Sequence, residues 1–141
     1  AGRIHGCFCS PARTPGMEYQ PGVCNIGPTQ RRRRLLLGVS SLVSTVVLVA
    51  VAVAAEWPRW TLAFTMFPLY GAAMGFLQYR ERFCVGFAGV GVFDVGDGTR
   101  DVTDPQALAA DRKRAVRLNA KALAVGAAGA LAVYAASVLV Y

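Results

Sequence analysis

"LLLGVSSLVSTVVLVAVAVAA", residues 35–55, is a run of twenty-one residues without a single charge. At 1.5 Å per residue a helix of that length covers about 31 Å, the thickness of a bilayer's hydrocarbon core. Valine is abundant in it, which a helix tolerates where lipid leaves the backbone no hydrogen-bonding partner but itself. Ser40, Ser41, Ser44 and Thr45 give it a small, weakly polar stripe suited to packing against a neighbour.

Outward from this run the chain repeats the pattern. "EWPR", 56–59, makes a tight turn into a second uncharged stretch, 60–78, with Trp57 and Trp60 at one end and Tyr79 at the other, where interfacial aromatics gather. A third apolar stretch, 122–141, closes the sequence. The four-residue turn forces the first two helices to lie antiparallel. The predicted fold is an all-α integral membrane protein, an antiparallel transmembrane hairpin (35–82, spans 35–55 and 60–78) followed by a third C-terminal transmembrane helix (122–141) with a cytoplasmic extension. With 55% apolar residues and mean hydropathy +0.41 the composition exceeds the roughly 45–50% apolar share of soluble globular chains.

The net charge of +7 raises the question of nucleic acid, but its distribution answers otherwise. Of fifteen Lys and Arg residues only Arg59 lies in the turn between spans one and two, while Arg31, Arg32, Arg33, Arg34, Arg80, Arg82, Arg112, Lys113, Arg114, Arg117 and Lys121 flank the opposite ends. This is the positive-inside pattern, which predicts a multi-pass protein of the cell membrane with a cytoplasmic N-terminus and an external C-terminus. Arg31–Arg34 with Lys113, Arg117 and Lys121 then form a basic belt beside anionic lipid, each worth about 1 kcal/mol, and no nucleic-acid partner is expected. "RRRRLLLG" also resembles the opening of an export signal, with Ala52-Val53-Ala54 as a cleavage site. A signal would release a polar domain, whereas here the chain leads straight back into apolar sequence, so a retained span is expected.

Residues 1–20 read as a disordered leader, with Met17 the expected natural start. His5, Cys7 and Cys9 within it make a weak soft-metal pattern, and neither a metal site nor a cofactor is expected. The stretch 21–34 is a turn of Pro-Gly and Gly-Pro corners and a basic flank. Pro68 in span two predicts a mid-helix kink. Gly71 and Gly75, four apart, give span two a smooth face for close helix approach, and Ala122, Gly126 and Ala130 do the same for span three. "FCVGFAGVGVF", 83–93, is too short to cross and reads as an interfacial or re-entrant segment, a short strand being the alternative. "DVGDGTRDVTD" lacks the ligand order of a calcium loop and reads as a solvated acidic loop ending the region 83–104. Asp104-Pro105 is an N-cap followed by proline at the first helical position, so a helix of about 54 Å is predicted over 105–141.

"CNIGP", 24–28, and "GFLQYRERFC", 75–84, resemble a group of uncharacterised small prokaryotic membrane proteins with a Cys-Asn-Ile-Gly turn and a Gly-Phe-x-Gln-x-Arg-x-x-x-Cys segment, over residues 20–90. The match rests on Cys24, Asn25, Ile26, Gly27 and Pro28, then Gly75, Phe76, Gln78, Arg80 and Cys84. The resemblance implies a membrane hairpin with two cytoplasmic thiols and no particular activity.

No ionisable side chain lies inside any span, which argues against a proton relay or an ion path, and no nucleophile-base pair marks an enzyme. The expected function is a non-enzymatic accessory, assembly or scaffold component working with a membrane-protein partner or as a homo-oligomer. The alternative is a thiol protein in which Cys24 and Cys84 exchange disulfides or bind a soft metal. Their tethers to the hairpin bring them within the Cα separation of about 4.4–6.8 Å that a disulfide requires, and positive charge around a cysteine favours the reactive thiolate.

Overall fold

The structure, a computed structural model, describes residues 19, 21–95 and 98–140. The chain is mostly helical: α1 (Pro28–Ala54), a 3-10 segment (Arg59–Thr65), α2 (Met66–Glu81), the short α3 (Val85–Val90), and α4 (Pro105–Val140), with two-residue strands β1 (Val92–Phe93) and β2 (Arg100–Asp101) between α3 and α4. α1, the 3-10 segment with α2, and α4 are each long and apolar enough to cross a membrane. Of the expected disordered leader 1–20, residues 1–18 and 20, with His5, Cys7, Cys9 and Met17, fall outside the described residues, whereas Tyr19 is held in place by Asp111 and Phe93.

α1 opens with Pro28 at its first position, where a missing amide costs nothing. The basic flank is therefore helical and continuous with the apolar run. At the far end Trp57 N–H bonds to Ala52 C=O (2.9 Å) and Glu56 N–H to Val53 C=O (3.2 Å), a closed helix terminus with Glu56 at φ 52° in the left-handed region.

The mid-helix kink expected at Pro68 is replaced by a different device. The α-helix begins only at Met66, after the 3-10 segment, so Pro68 sits in its first turn. The ring of Pro68 crowds the carbonyl four residues back, and a tighter 3-10 path upstream accommodates it. α2 ends at Arg82 (φ 54°), where Phe83 N–H returns to Gln78 C=O (3.2 Å).

α2 lies between α1 and α4. Gly38 of α1 meets Gly75, and Ser41 meets Gly71, so residue numbers rise along one helix as they fall along the other. On α4, Gly126 abuts the backbone of Tyr70, and Ala122 joins Ala73 and Met74 in a buried cluster. A second cluster of Phe83, Ala88, Ala115 and Leu118 ties α3 to α4. The 83–93 segment forms α3 followed by the short strand that was the alternative reading, and β1 pairs antiparallel with β2 (Val92 with Asp101, Phe93 with Arg100). The acidic loop is accordingly not wholly irregular: it contains β2 and delivers Asp104, whose Oδ1 accepts from Gln106 N–H (3.0 Å) at the start of α4.

Candidate functional site

The polar chemistry gathers where the segment before α1 meets the end of α2. Cys24, Asn25 and Ile26 are fully buried. Asn25 supplies the central bonds: its Oδ1 accepts from Cys84 N–H (2.6 Å) and its Nδ2 donates to Cys84 C=O (3.0 Å). Its own N–H reaches Arg82 C=O (3.3 Å), and its C=O accepts from Asp94 N–H (2.9 Å). Gly27 N–H donates to Asp94 C=O (2.7 Å), so the turn forms a parallel bridge, Ile26 with Asp94. Only glycine fits at 27, because a Cβ there would lie 2.8 Å from the Val95 carbonyl carbon. Gln78, buried, accepts from Val85 N–H (2.9 Å) and starts α3. The two stretches that carry the resemblance are thus one interlocked knot, and its amides serve as backbone clasps.

A second anchor is formed by Asp111, fully buried on α4. Its carboxylate accepts from Tyr19 OH (2.5 Å) and Gly22 N–H (2.6 Å), and Tyr19 stacks on Phe93 with ring centroids 4.2 Å apart. Burial first, then the hydrogen bond and charge of Asp111 and the charge of Asp104, push the Tyr19 hydroxyl well above the usual tyrosine range. Arg114 pairs with Glu81, donates to Gly22 C=O (2.9 Å) and lies over the Phe83 ring (5.5 Å). Sequence reasoning missed these anchoring roles. The available signal was Asp111 itself, a lone acid within the basic stretch 105–121.

The thiol pair is not joined. Cys24 is disulfide-bonded, whereas Cys84 is a free, buried thiol, so Cys84 is not the partner in that bond. Around the Cys84 sulfur stand two donors, Arg34 Nη2 at 3.0 Å and Phe87 N–H at 3.5 Å. Among the described residues no group of three or more His, Cys, Asp or Glu is placed to hold a metal ion.

The four consecutive arginines separate by helical geometry. Arg31 donates from Nε to Tyr79 C=O (2.8 Å) and stacks on the Tyr79 ring (4.1 Å), and Arg34, three residues on and on the same face, turns to Cys84 and Phe87. Only Arg32 and Arg33 are exposed, so the expected belt of four is a belt of two at this point. Lys113, Arg117 and Lys121 are exposed on α4. Both small-residue stripes are covered within the chain: Gly71 and Gly75 by α1, Ala122 and Gly126 by α2, with Ala130 also buried. A contact with another protein therefore has to use other surfaces.

Comparison with known proteins finds no matching family model, no matching characterised protein and no matching solved structure.

Proposed function

We propose that this chain is a small multi-pass integral membrane protein, built as an antiparallel transmembrane hairpin plus a third span, that acts as a non-enzymatic accessory, assembly or scaffold component. The observation that carries this reading is an inverted surface. Large apolar side chains point outward on every long helix, among them Leu36 (62% exposed), Val46 (63%), Phe67 (72%), Leu131 (70%) and Leu139 (88%), while glycine, alanine and clasped amides fill the inside. A contiguous apolar exterior of this kind is stable only against lipid or partner helices. The buried polar side chains Asn25, Gln78 and Asp111 hold backbone in place, which is the work of a rigid frame. Purification from native membranes in mild detergent, followed by mass spectrometry, tests the role. A stoichiometric membrane partner or a defined homo-oligomer supports it, and a lone monomer with catalytic turnover overturns it.

The orientation that fits places the knot and the loop 79–121 in the cytoplasm, because among the described residues Arg59 is the only Lys or Arg at the opposite end. The disulfide at Cys24 favours the reverse, since stable disulfides belong to oxidising compartments. The charge asymmetry is the stronger signal because it draws on the whole chain.

The thiol reading keeps one supporting observation, the Arg34 guanidinium bonded to the free Cys84 sulfur. Alkylation of intact membranes separates the two readings. Rapid modification of Cys84 favours thiol chemistry, and modification only after denaturation favours a buried structural thiol.

A further inference from the structure

We infer that the cleft between the end of α2 and the charged part of α4 is a binding site for the phosphate headgroup of an anionic membrane lipid. The inference rests on the membrane reading above. The cleft encloses about 390 Å³ and is lined by Lys113, Arg117 and Lys121, with Leu118, Arg114 and Glu81. The three cations recur at four-residue steps, so they stack along one line of α4 about 6 Å apart. No ion pair engages them among the described residues, whereas the only acid in the lining, Glu81, is neutralised by Arg114.

Arg114 is no part of the ligand set. Its guanidinium is committed to Glu81 and to Gly22 C=O and rests on Phe83, which makes the wall of the cleft firm. The remaining charge is cationic and displayed on a helix whose opposite face is packed through Ala115 and Ala122. A phosphodiester or phosphomonoester offers the complementary acceptors.

Continuity with the apolar surface selects a lipid over a free phosphate. Lys121 is the last charge before the uncharged stretch 122–140. The next member of the same four-residue line is Val125, 56% exposed. One line on α4 therefore runs from three cations into bare apolar surface, the profile of a headgroup followed by its acyl chains. Basic pockets between helices at the membrane surface recognise anionic headgroups on these grounds.

The test uses the full chain in mild detergent, with its thermal midpoint measured after adding phosphatidylglycerol, phosphatidylcholine or inorganic phosphate. Phosphatidylglycerol should raise the midpoint and the other two should not. The double variant Arg117→Gln/Lys121→Gln should bind phosphatidylglycerol on the order of tenfold more weakly or worse. Arg32→Gln/Arg33→Gln, which removes two exposed charges elsewhere, should bind it as the parent does. Equal loss in both variants would show unspecific attraction and overturn the site, and a midpoint raised equally by inorganic phosphate would overturn the lipid assignment. Alkaline carbonate extraction of membranes is run alongside. A chain that stays in the membrane yet ignores phosphatidylglycerol refutes the site alone, whereas a chain released by carbonate refutes the membrane reading beneath it.

Discussion

Replacing Gly75 by alanine adds one methyl group at the point where α1 and α2 come closest. That Cβ would stand 2.5 Å from both Cα and N of Gly38 and 2.8 Å from the carbonyl oxygen of Arg34. All three are backbone atoms of a helix, so no side chain can swing aside. Carbon contacts are comfortable from about 3.5 Å, and α1 must therefore retreat by about 1 Å. A gap of that size forfeits about a quarter to a half of each dispersion contact along the interface, and overpacking of this kind costs about 1–3 kcal/mol. Gly75→Ala belongs at the upper end. Gly71→Ala belongs near 1 kcal/mol, because its Cβ meets the Ser41 hydroxyl at 2.9 Å and that oxygen can rotate away. Gly89→Ala, in α3 with nothing within 4 Å, should be neutral or slightly stabilising. Unfolding in mixed micelles with increasing sodium dodecyl sulfate, followed by circular dichroism, gives the three values. Adding Ser41→Gly should rescue Gly71→Ala and leave Gly75→Ala unrescued. Equal stabilities for the alanine variants at 75 and 89 would refute the close approach of α1 and α2.

Asn25→Ala should destabilise by about 1–3 kcal/mol, because it leaves the buried N–H of Cys84 unpaired while the Cys84 C=O keeps the Ala88 N–H, and maleimide should then label Cys84 faster in the folded protein. Tyr19→Phe removes the donor to Asp111. Since the folded Tyr19 pKa is raised, its contribution is fully present below the unfolded value near 10 and is lost as pH climbs through the folded value. The stability gap between parent and variant, read by denaturation at several pH values, should be constant below about pH 10 and shrink above it. Gly126→Leu should separate α4 from α2, because even a Cβ there lies 3.1 Å from the Tyr70 backbone, and the same denaturation assay should show the loss.

The long helices were legible because lipid-length apolar runs and a proline-led cap are local signals: Leu35–Ala55 and Asp104-Pro105 sit where the sequence places them. The packing faces of Gly71, Gly75 and Gly126 were legible from spacing, but their partners were not, since spacing says that a backbone approaches and not which one. The inward turn of Arg31 and Arg34 was concealed by reading all of 31–34 as a basic flank facing lipid headgroups. Once Pro28 starts the helix, i and i+3 share a face and the split follows. Pro68 misled because the length of the apolar run hides where α-helix begins. The knot was the least legible part. It joins Asn25 to Cys84 across fifty-nine positions, and Asp111 to Tyr19 across ninety-two, contacts that no local pattern encodes.

Fusing a reporter active only outside the cytoplasm tests the three-span membrane arrangement most directly. Alkaline phosphatase placed after Tyr141 should be active, and the same enzyme inserted at Gly98 should be inactive, with both fusions retained in carbonate-washed membranes. Activity at Gly98 with silence after Tyr141 would contradict the orientation and give the Cys24 disulfide its oxidising compartment, and equal activity at both positions would contradict the third span.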